Sequence, residues 1–63
     1  MNVWQGYVGK KVFLRTRYNR IYIGVVKVVD SSSPPLHFLH LLTKDNNSVI
    51  VVHSEVVEIK EEM

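Results

Sequence analysis

The chain contains 63 residues, 46% of them hydrophobic, and it has no cysteine. A chain of this length forms one domain, here residues 1–63, with a small core, and the missing cysteines exclude disulfides and thiolate metal sites as extra stabilisation. Association between chains remains as a source of extra stability. No apolar run approaches the roughly 20 residues of a membrane span. The N-terminal stretch is too short and too polar for a signal peptide, so we expect a cytoplasmic protein that does not contact a membrane.

The formal charge of +2 is distributed unevenly along the chain. Residues 1–31 carry six bases and one carboxylate, a net charge of +5, whereas the remainder carries two bases and five carboxylates, a net charge of −3. The basic half could bind nucleic acid, or the two halves could attract one another between subunits. Ordinary solvated strand surface is the third interpretation of the same charges.

The first predicted elements are a short helix and a strand. Apolar residues recur at spacings of three and four over residues 3–8, which predicts an amphipathic helical turn that ends at Gly9. Alternating apolar residues then predict a strand over residues 11–17 with one apolar face. Asn19 tolerates the left-handed backbone region and predicts a turn before the second strand.

The second predicted strand, residues 20–30, is apolar on both of its faces. Tyr22, Gly24 and Val26 lie on one face, and a second apolar set lies on the other. This second set comprises Ile21, Ile23 and Val25. A chain this short can bury one face of a sheet against its own core, so the second face needs another cover. Gly24 predicts sharp bending or a close approach of another backbone.

The C-terminal half predicts a loop followed by three strands. Adjacent prolines cannot donate to a ladder, which predicts a loop over residues 31–35. Apolar runs predict strands over residues 36–43, 48–53 and 56–60, with a turn over residues 44–47. The five strands, one of them long and bent at a glycine, predict an all-β fold: a small, strongly bent, five-stranded SH3-like barrel with a short N-terminal helix.

The segment YVGKKVFLRTRYNRIYIGVVKVVD resembles the first half of the Sm-like (LSm) domain. The family pattern runs from a glycine and a basic pair through an apolar strand and a turn to apolar residues around a glycine and a final aspartate. The positions that match this pattern are Gly9, Lys10, Lys11, Val12, Leu14, Arg20, Gly24 and Asp30. The later segment SVIVVHSEVVEI is similar to the second Sm motif, so the resemblance covers nearly the whole chain and implies a single Sm-like domain.

Two departures from the family concern its uridine pocket. Sm-like domains that hold uridine carry a Met-Asn pair after the aspartate and an Arg-Gly pair between the last two strands. Here SSSPP replaces the first pair, and Val52 and His53 stand in place of the second. Valine can neither stack on a base nor make the charge-assisted hydrogen bonds of arginine, so the resemblance implies the fold without the usual uridine pocket.

The resemblance also implies a cover for the second apolar face. In Sm-like proteins the fourth strand of one barrel pairs with the fifth strand of the next and builds a ring. We therefore expect a homo-oligomeric ring whose subunits meet through the second face and the last two strands. The candidate interface residues are Ile21, Ile23, Val25, Val49, Val51, Val57 and Ile59. In the alternative, the N-terminal helix covers part of this face within one chain through Trp4 and Tyr7.

Basic and aromatic residues indicate a surface for single-stranded RNA. Tyr18 lies between Arg17 and Arg20 at a predicted turn, an arrangement that can stack on a base and hold its phosphate. Arg15 extends the basic stripe along the first strand, and His53 occupies the loop where the family binds nucleic acid. Cross-strand packing of arginine with aromatic residues is the alternative for the stripe, and a polar loop residue is the alternative for His53.

The sequence carries no motif for catalysis, a cofactor or a metal. Its histidines, His37, His40 and His53, match no metal-ligand spacing, and the SSS run lacks the flanking pattern of a nucleophile. The leading prediction is a ring-forming Sm-like protein that binds RNA or organises an RNP through a non-standard surface. The alternative is an SH3-like or Tudor-like module that binds protein through SSSPP and the exposed apolar strand, without nucleic acid.

Overall fold

The computed structural model describes residues 3–62, and these residues form one antiparallel sheet with two short 3₁₀ turns. The strands are β1 (Lys11–Thr16), β2 (Ile21–Ser33), β3 (Leu36–Thr43), β4 (Ser48–Val52) and β5 (Val56–Glu61). The N-terminal turn spans Val3–Tyr7, and the edge turn, which connects β4 to β5, spans His53–Glu55. The all-β prediction is confirmed, and the predicted N-terminal helix is a 3₁₀ turn. No helix within residues 3–62 has the length and apolar character needed to cross a bilayer.

The strand order is β4-β3-β2-β1-β5, which leaves β4 and β5 at the two edges of the sheet. β2 is the longest strand, at 13 residues, and it pairs with β1 through its first part and with β3 through its later part. The β2–β3 ladder ends at the pair Gly24–Thr43, so residues 21–23 pair with β1 alone. No ladder joins β4 to β5 within residues 3–62, and the edge turn lies between them.

The core lies on one face of this sheet and is aliphatic. Alternation along the strands directs every second side chain inward, as expected for half-buried β-structure. The buried apolar side chains are Val12, Leu14, Val26, Val29, Leu39, Leu41 and Val51. An irregularity at Lys27 shifts the alternation of β2 by one residue, so Val26 and Val29 are both buried whereas Val28 is 51% exposed.

Gly24 is buried beside the end of β3, where there is no room for a side chain. A Cβ atom built on Gly24 would lie 2.9 Å from the Cα atom of Thr43 and would overlap the carbonyl group of Leu42. Real Cβ atoms do not approach backbone so closely, so one of the two strands would have to move. The close backbone approach predicted at this glycine is confirmed.

Gly24→Ala is expected to destabilise the fold by about 1–3 kcal/mol, the usual cost of forcing extra volume into a packed region. The atoms that would clash belong to the backbone, which cannot rotate away as a flexible side chain can. Urea denaturation followed by circular dichroism measures the change in midpoint. Gly6→Ala is the control, because nothing lies within 4 Å of a Cβ atom at Gly6, and an equal loss in both variants would contradict the steric explanation.

Five strand boundaries differ from the prediction: β2 begins one residue later, at Ile21, β5 ends one residue later, at Glu61, and the ends of β1, β2 and β4 also differ. β2 continues to Ser33, which pairs with Leu36, so the predicted loop reduces to Pro34 and Pro35. Serine keeps its N–H and can stay in a ladder, whereas the prolines occupy the turn, where no ladder donor is required. β1 and β4 each end one residue earlier than predicted.

The N-terminal turn covers part of the core and leaves the start of β2 open. The turn contacts β2, and its Trp4 and Tyr7 side chains pack against the buried aliphatic residues. At the start of β2, Ile21 remains 54% exposed and Ile23 remains 38% exposed. The alternative in which Trp4 and Tyr7 cover the second apolar face is therefore wrong for these two isoleucines.

Candidate nucleic-acid interface

The turn between β1 and β2 is held by one buried threonine. Thr16, which is 3% exposed, accepts hydrogen bonds through Oγ1 from the backbone N–H groups of Tyr18 and Arg20, both at 3.3 Å. Its carbonyl accepts from the N–H of Asn19 at 2.9 Å, and its own N–H donates to the carbonyl of Arg20 at 2.9 Å. Asn19 has a φ of 63°, the left-handed conformation predicted for it. These bonds fix the backbone of the turn and leave its longer side chains on the surface.

Arg17, Tyr18 and Arg20 are exposed on this turn, and we name these three residues the basic turn. The guanidinium carbon of Arg17 lies 5.8 Å from the centre of the Tyr18 ring, within cation–π range, and Tyr18 is 63% exposed. The N–H of Arg17 donates to the carbonyl of Glu55 at 2.8 Å, which ties the basic turn to the edge turn. An aromatic ring between two arginines can stack on an unpaired base while the arginines contact phosphate.

Arg15 differs from the basic turn because its guanidinium is paired with a carboxylate. Its Nε donates to Glu58 Oε1 at 3.3 Å across the β1–β5 ladder, where the two residues are direct partners. Lys60 lies 3.4 Å from the other oxygen of the same carboxylate and 5.4 Å from the centre of the Phe13 ring. Along β1, Arg15 is therefore paired with a carboxylate, and the cation beside the Phe13 ring is Lys60 of β5.

These hydrogen bonds alter the titration of Glu58. The bond from Arg15, followed by the bond from Lys60, holds the pKa of Glu58 below its ordinary value of 4.5. A carboxylate whose pKa is lower in the folded state adds stability above its unfolded pKa. That stability is lost as the pH falls through the folded pKa.

Glu58→Gln is therefore expected to lower the urea midpoint at neutral pH and to have little effect at a pH acidic enough to protonate the carboxylate in both the folded and the unfolded state. The effect at neutral pH is small because the pair is exposed to solvent. Urea denaturation at both pH values measures it. Glu62→Gln is the control, because it removes a carboxylate that is not part of the Arg15–Glu58–Lys60 cluster. If Glu58→Gln lowers the urea midpoint equally at both pH values, the lowered pKa of Glu58 is not the cause.

His53 makes contacts within the chain. Its Nδ1 accepts a hydrogen bond of 3.1 Å from the backbone N–H of His37, and the two rings meet edge to face with centroids 5.0 Å apart. The Trp4 ring lies 6.0 Å from the His53 ring, and the Ser31 hydroxyl is hydrogen-bonded to His37 Nδ1 at 2.7 Å. His53 therefore anchors the edge turn to β3, and its ring is half-buried.

Asp30, which the Sm-like pattern shares, stabilises a local bend near the end of β2. Its Oδ1 accepts hydrogen bonds from the hydroxyl of Ser32 at 2.7 Å and from the N–H of Ser32 at 3.0 Å. The hydroxyl bond and then the backbone bond lower the pKa of Asp30 below its ordinary value of 3.8. This geometry is typical of an aspartate that forms a turn.

The candidate RNA-binding residues lie on β1, on the basic turn and on the edge turn. Thr43 pairs with Gly24 near the start of β2, so the β3–β4 turn, residues 44–47, lies at the same end of β2 as the basic turn. His53 belongs to the edge turn, which the hydrogen bond between Arg17 and Glu55 ties to the basic turn, but its ring packs against His37 and Trp4. The basic turn therefore forms one exposed group, while Arg15 is paired with a carboxylate.

The candidate interface residues differ in exposure. Ile21, Ile23 and Val57 lie on the surface, with exposed fractions of 54%, 38% and 52%. The half-buried members are Val25, Val49 and Ile59. A neighbouring copy could reach the first group without any rearrangement of the subunit.

Val51 is a correction to the predicted interface. It is 3% exposed and belongs to the core of the chain itself, whereas its neighbour Ile50 is 60% exposed. The segment SVIVV is apolar at four of its five positions, so its sequence does not reveal which side chains alternate inward. Ser48 lies two residues before Ile50 and therefore on the same face of the strand. It is the one polar residue of β4 and the one indication in the sequence that this face is turned toward solvent.

Comparisons with known proteins identify no relative. A scan against protein-family models and searches of curated proteins and solved structures found no match to this chain. The basic turn and the sheet edges are therefore the features from which a function is inferred.

Proposed function

We propose that this chain is a self-assembling Sm-like protein, a strongly bent five-stranded barrel that joins copies of itself through its sheet edges and binds single-stranded RNA at the basic turn. The observation that carries the proposal is the unprotected edge strand β4. Proteins usually guard edge strands with charges, prolines or bulges, because an open edge pairs readily with other strands. The segment Ser48–Val52 contains no charge and no proline, and its ladder with β3 runs without a register shift.

Exposed apolar side chains accompany both edges. Ile50 on β4 is 60% exposed, and Val57 on β5 is 52% exposed. Burial of each such side chain against a neighbour contributes up to about 1.5–3 kcal/mol, which is large beside the stability of a small domain. Pairing of β4 from one copy with β5 from the next would also satisfy the open backbone groups of both strands.

The two edges differ from each other, which favours a head-to-tail arrangement. β4 is uncharged, whereas β5 carries Glu58, Lys60 and Glu61. A symmetric β4–β4 dimer would leave β5 and its exposed valine uncovered. Contact between two different edges is heterologous, and it closes into a ring when the rotation between subunits allows closure.

The basic turn supports the nucleic-acid part of the proposal. Its two arginines and one tyrosine are exposed and held on a rigid backbone by the buried Thr16. In a ring every subunit would carry this turn on the same side. Several weak phosphate and stacking contacts would then act on one strand of RNA, and their free energies would combine.

Native mass spectrometry of the purified chain tests the assembly. We expect a closed oligomer of the 7.3 kDa subunit at roughly tens of micromolar, a concentration at which even modest contacts are populated. A strict monomer at that concentration would contradict the proposal. A dimer that does not grow further would replace the ring with symmetric β4–β4 pairing.

Fluorescence anisotropy with short single-stranded RNA across a salt series tests the binding. Each phosphate contact should contribute about −0.7 to the slope of log affinity against log salt concentration. Absence of binding at low salt would remove RNA from the proposed function.

A second candidate function, a protein-interaction module without nucleic acid, is favoured by one observation. Arg15 and His53 make contacts within the chain. Of the residues predicted to bind RNA, this leaves the basic turn as the group that is fully exposed, and so reduces the surface available to RNA. The bare β4 edge would then accept an extended segment of another protein by strand addition. This candidate expects a monomer that binds no RNA.

A further inference from the structure

A cavity of about 340 Å³ opens at the end of the sheet that carries the basic turn. Residues 21–23 of β2, the β3–β4 turn and Val49 line this cavity. It exists because the β2–β3 ladder stops at the pair Gly24–Thr43, whereas β2 extends three residues further toward the turn. The backbone edge of residues 21–23 that faces away from β1 therefore borders the cavity, where a continued β3 would otherwise lie.

The lining is mostly apolar with a few polar groups. Ile21 and Ile23 contribute aliphatic surface, and Thr43, Asp45 and Asn47 contribute a hydroxyl, a carboxylate and an amide. Sites for small ligands have this character, and their volumes begin near 300 Å³. A single planar base is an occupant of suitable size and chemistry, because its faces are apolar and its edge makes hydrogen bonds.

Cationic side chains flank the cavity on two turns. Lys44 belongs to its lining, and Arg20 directly precedes Ile21 in the chain. Arg17 lies on the same turn as Arg20, and Asp45 supplies negative charge to the lining. The phosphates of a bound nucleic acid could therefore contact the cationic side chains at the rim of the cavity, while the edge of its base contacts the carboxylate of Asp45.

We propose that this cavity binds one base of a single-stranded RNA and favours adenine and cytosine over uracil. The inference deepens the proposed function and rests on its RNA-binding part. A carboxylate accepts hydrogen bonds and donates none, so Asp45 suits the exocyclic amino group of adenine or cytosine. Uracil offers the N3–H as its donor, but two carbonyl oxygens flank it and would repel the carboxylate. The amide of Asn47 offers both an acceptor and donors, the combination that reads the N6 and N7 positions of adenine.

Fluorescence anisotropy with adenine, cytosine and uracil oligonucleotides of equal length tests this inference on the full chain. The unmodified protein should bind the adenine and cytosine oligomers about tenfold more tightly than the uracil oligomer. Asp45→Asn adds a donor at the same position and should reduce the preference to within about twofold. Asn47→Ala should weaken binding of the adenine oligomer about tenfold.

Glu62→Gln is the matched control for Asp45→Asn. It also removes one exposed carboxylate, but the N–H of Glu62 donates to the carbonyl of Lys11 at the start of β1, at the opposite end of that strand from the basic turn. This variant should keep the preference of the unmodified chain. Circular dichroism verifies the fold of each variant, and if Asn47→Ala unfolds, the comparison of Asp45→Asn with Glu62→Gln decides.

The possible outcomes separate this inference from the proposed function. Equal affinity of the unmodified chain for the three oligomers would overturn the cavity assignment and leave RNA binding at the basic turn intact. A preference that survives Asp45→Asn unchanged would do the same. Absence of binding to any oligomer at low salt would overturn both.

Discussion

Ile50→Lys is expected to convert the assembled chain into folded monomers of 7.3 kDa. Ile50 is 60% exposed, so the core of the subunit loses little, whereas a contact between β4 and a neighbouring β5 would bury its side chain. Losing about 1.5–3 kcal/mol of apolar burial and placing an unpaired ammonium in the contact should weaken subunit affinity at least about tenfold. Native mass spectrometry measures the subunit number, and the urea midpoint verifies that the subunit stays folded.

Val8→Lys is the control with the same added charge. Val8 is 39% exposed and forms its bridge with Val26 in the middle of β2, a residue that pairs with β3 and with neither edge strand. Assembly should persist in this variant. If Ile50→Lys keeps the mass of the unmodified assembly, β4 does not mediate the contact. If both variants dissociate, net charge and not position controls assembly.

Arg17→Glu combined with Arg20→Glu is expected to reduce RNA affinity about a hundredfold or more without changing the subunit number. Each arginine that contacts a phosphate contributes about 1.5–3 kcal/mol through a charge-assisted hydrogen bond. Loss of the two contacts should also reduce the magnitude of the salt slope by about 1.4, because each contact to a single strand contributes about 0.7. Anisotropy titrations across a salt series measure both quantities.

The matched control is Lys11→Glu combined with Lys27→Glu, which changes the net charge by the same amount. Both lysines are exposed, one at the start of β1 and the other at the irregularity of β2, and neither lies on the basic turn. Affinity should fall much less in this control. Equal losses in the two double variants would indicate attraction by net charge, and the basic turn would lose its assigned role.

The basic turn was predictable from the sequence, whereas most of the remaining site was not. Asn19 and the alternating apolar residues of the two flanking strands predict a tight turn that carries Tyr18 between two arginines. This turn is predictable because its hydrogen bonds join residues that are only two to four positions apart. Arg15 looked equally available, but its partner Glu58 lies 43 positions away and becomes a neighbour through the β1–β5 ladder alone. The contact between His53 and His37 likewise joins residues 16 positions apart.

The sequence was sufficient to predict an all-β protein of five strands and, at Gly24, either a sharp bend or a close approach of another backbone, the second of which the structure shows. These properties depend on local chemistry: β-branched residues suit a pleated strand, and glycine permits close contact. Three features required the folded structure: Ile50 faces outward and Val51 inward, an irregularity at Lys27 shifts the inward alternation of β2 by one residue, and β2 extends beyond its ladder with β3 and so borders a cavity. Where a strand is apolar at almost every position, the sequence does not show which side chains face the core. Pairing between strands that are distant in the sequence then sets the register and the buried face.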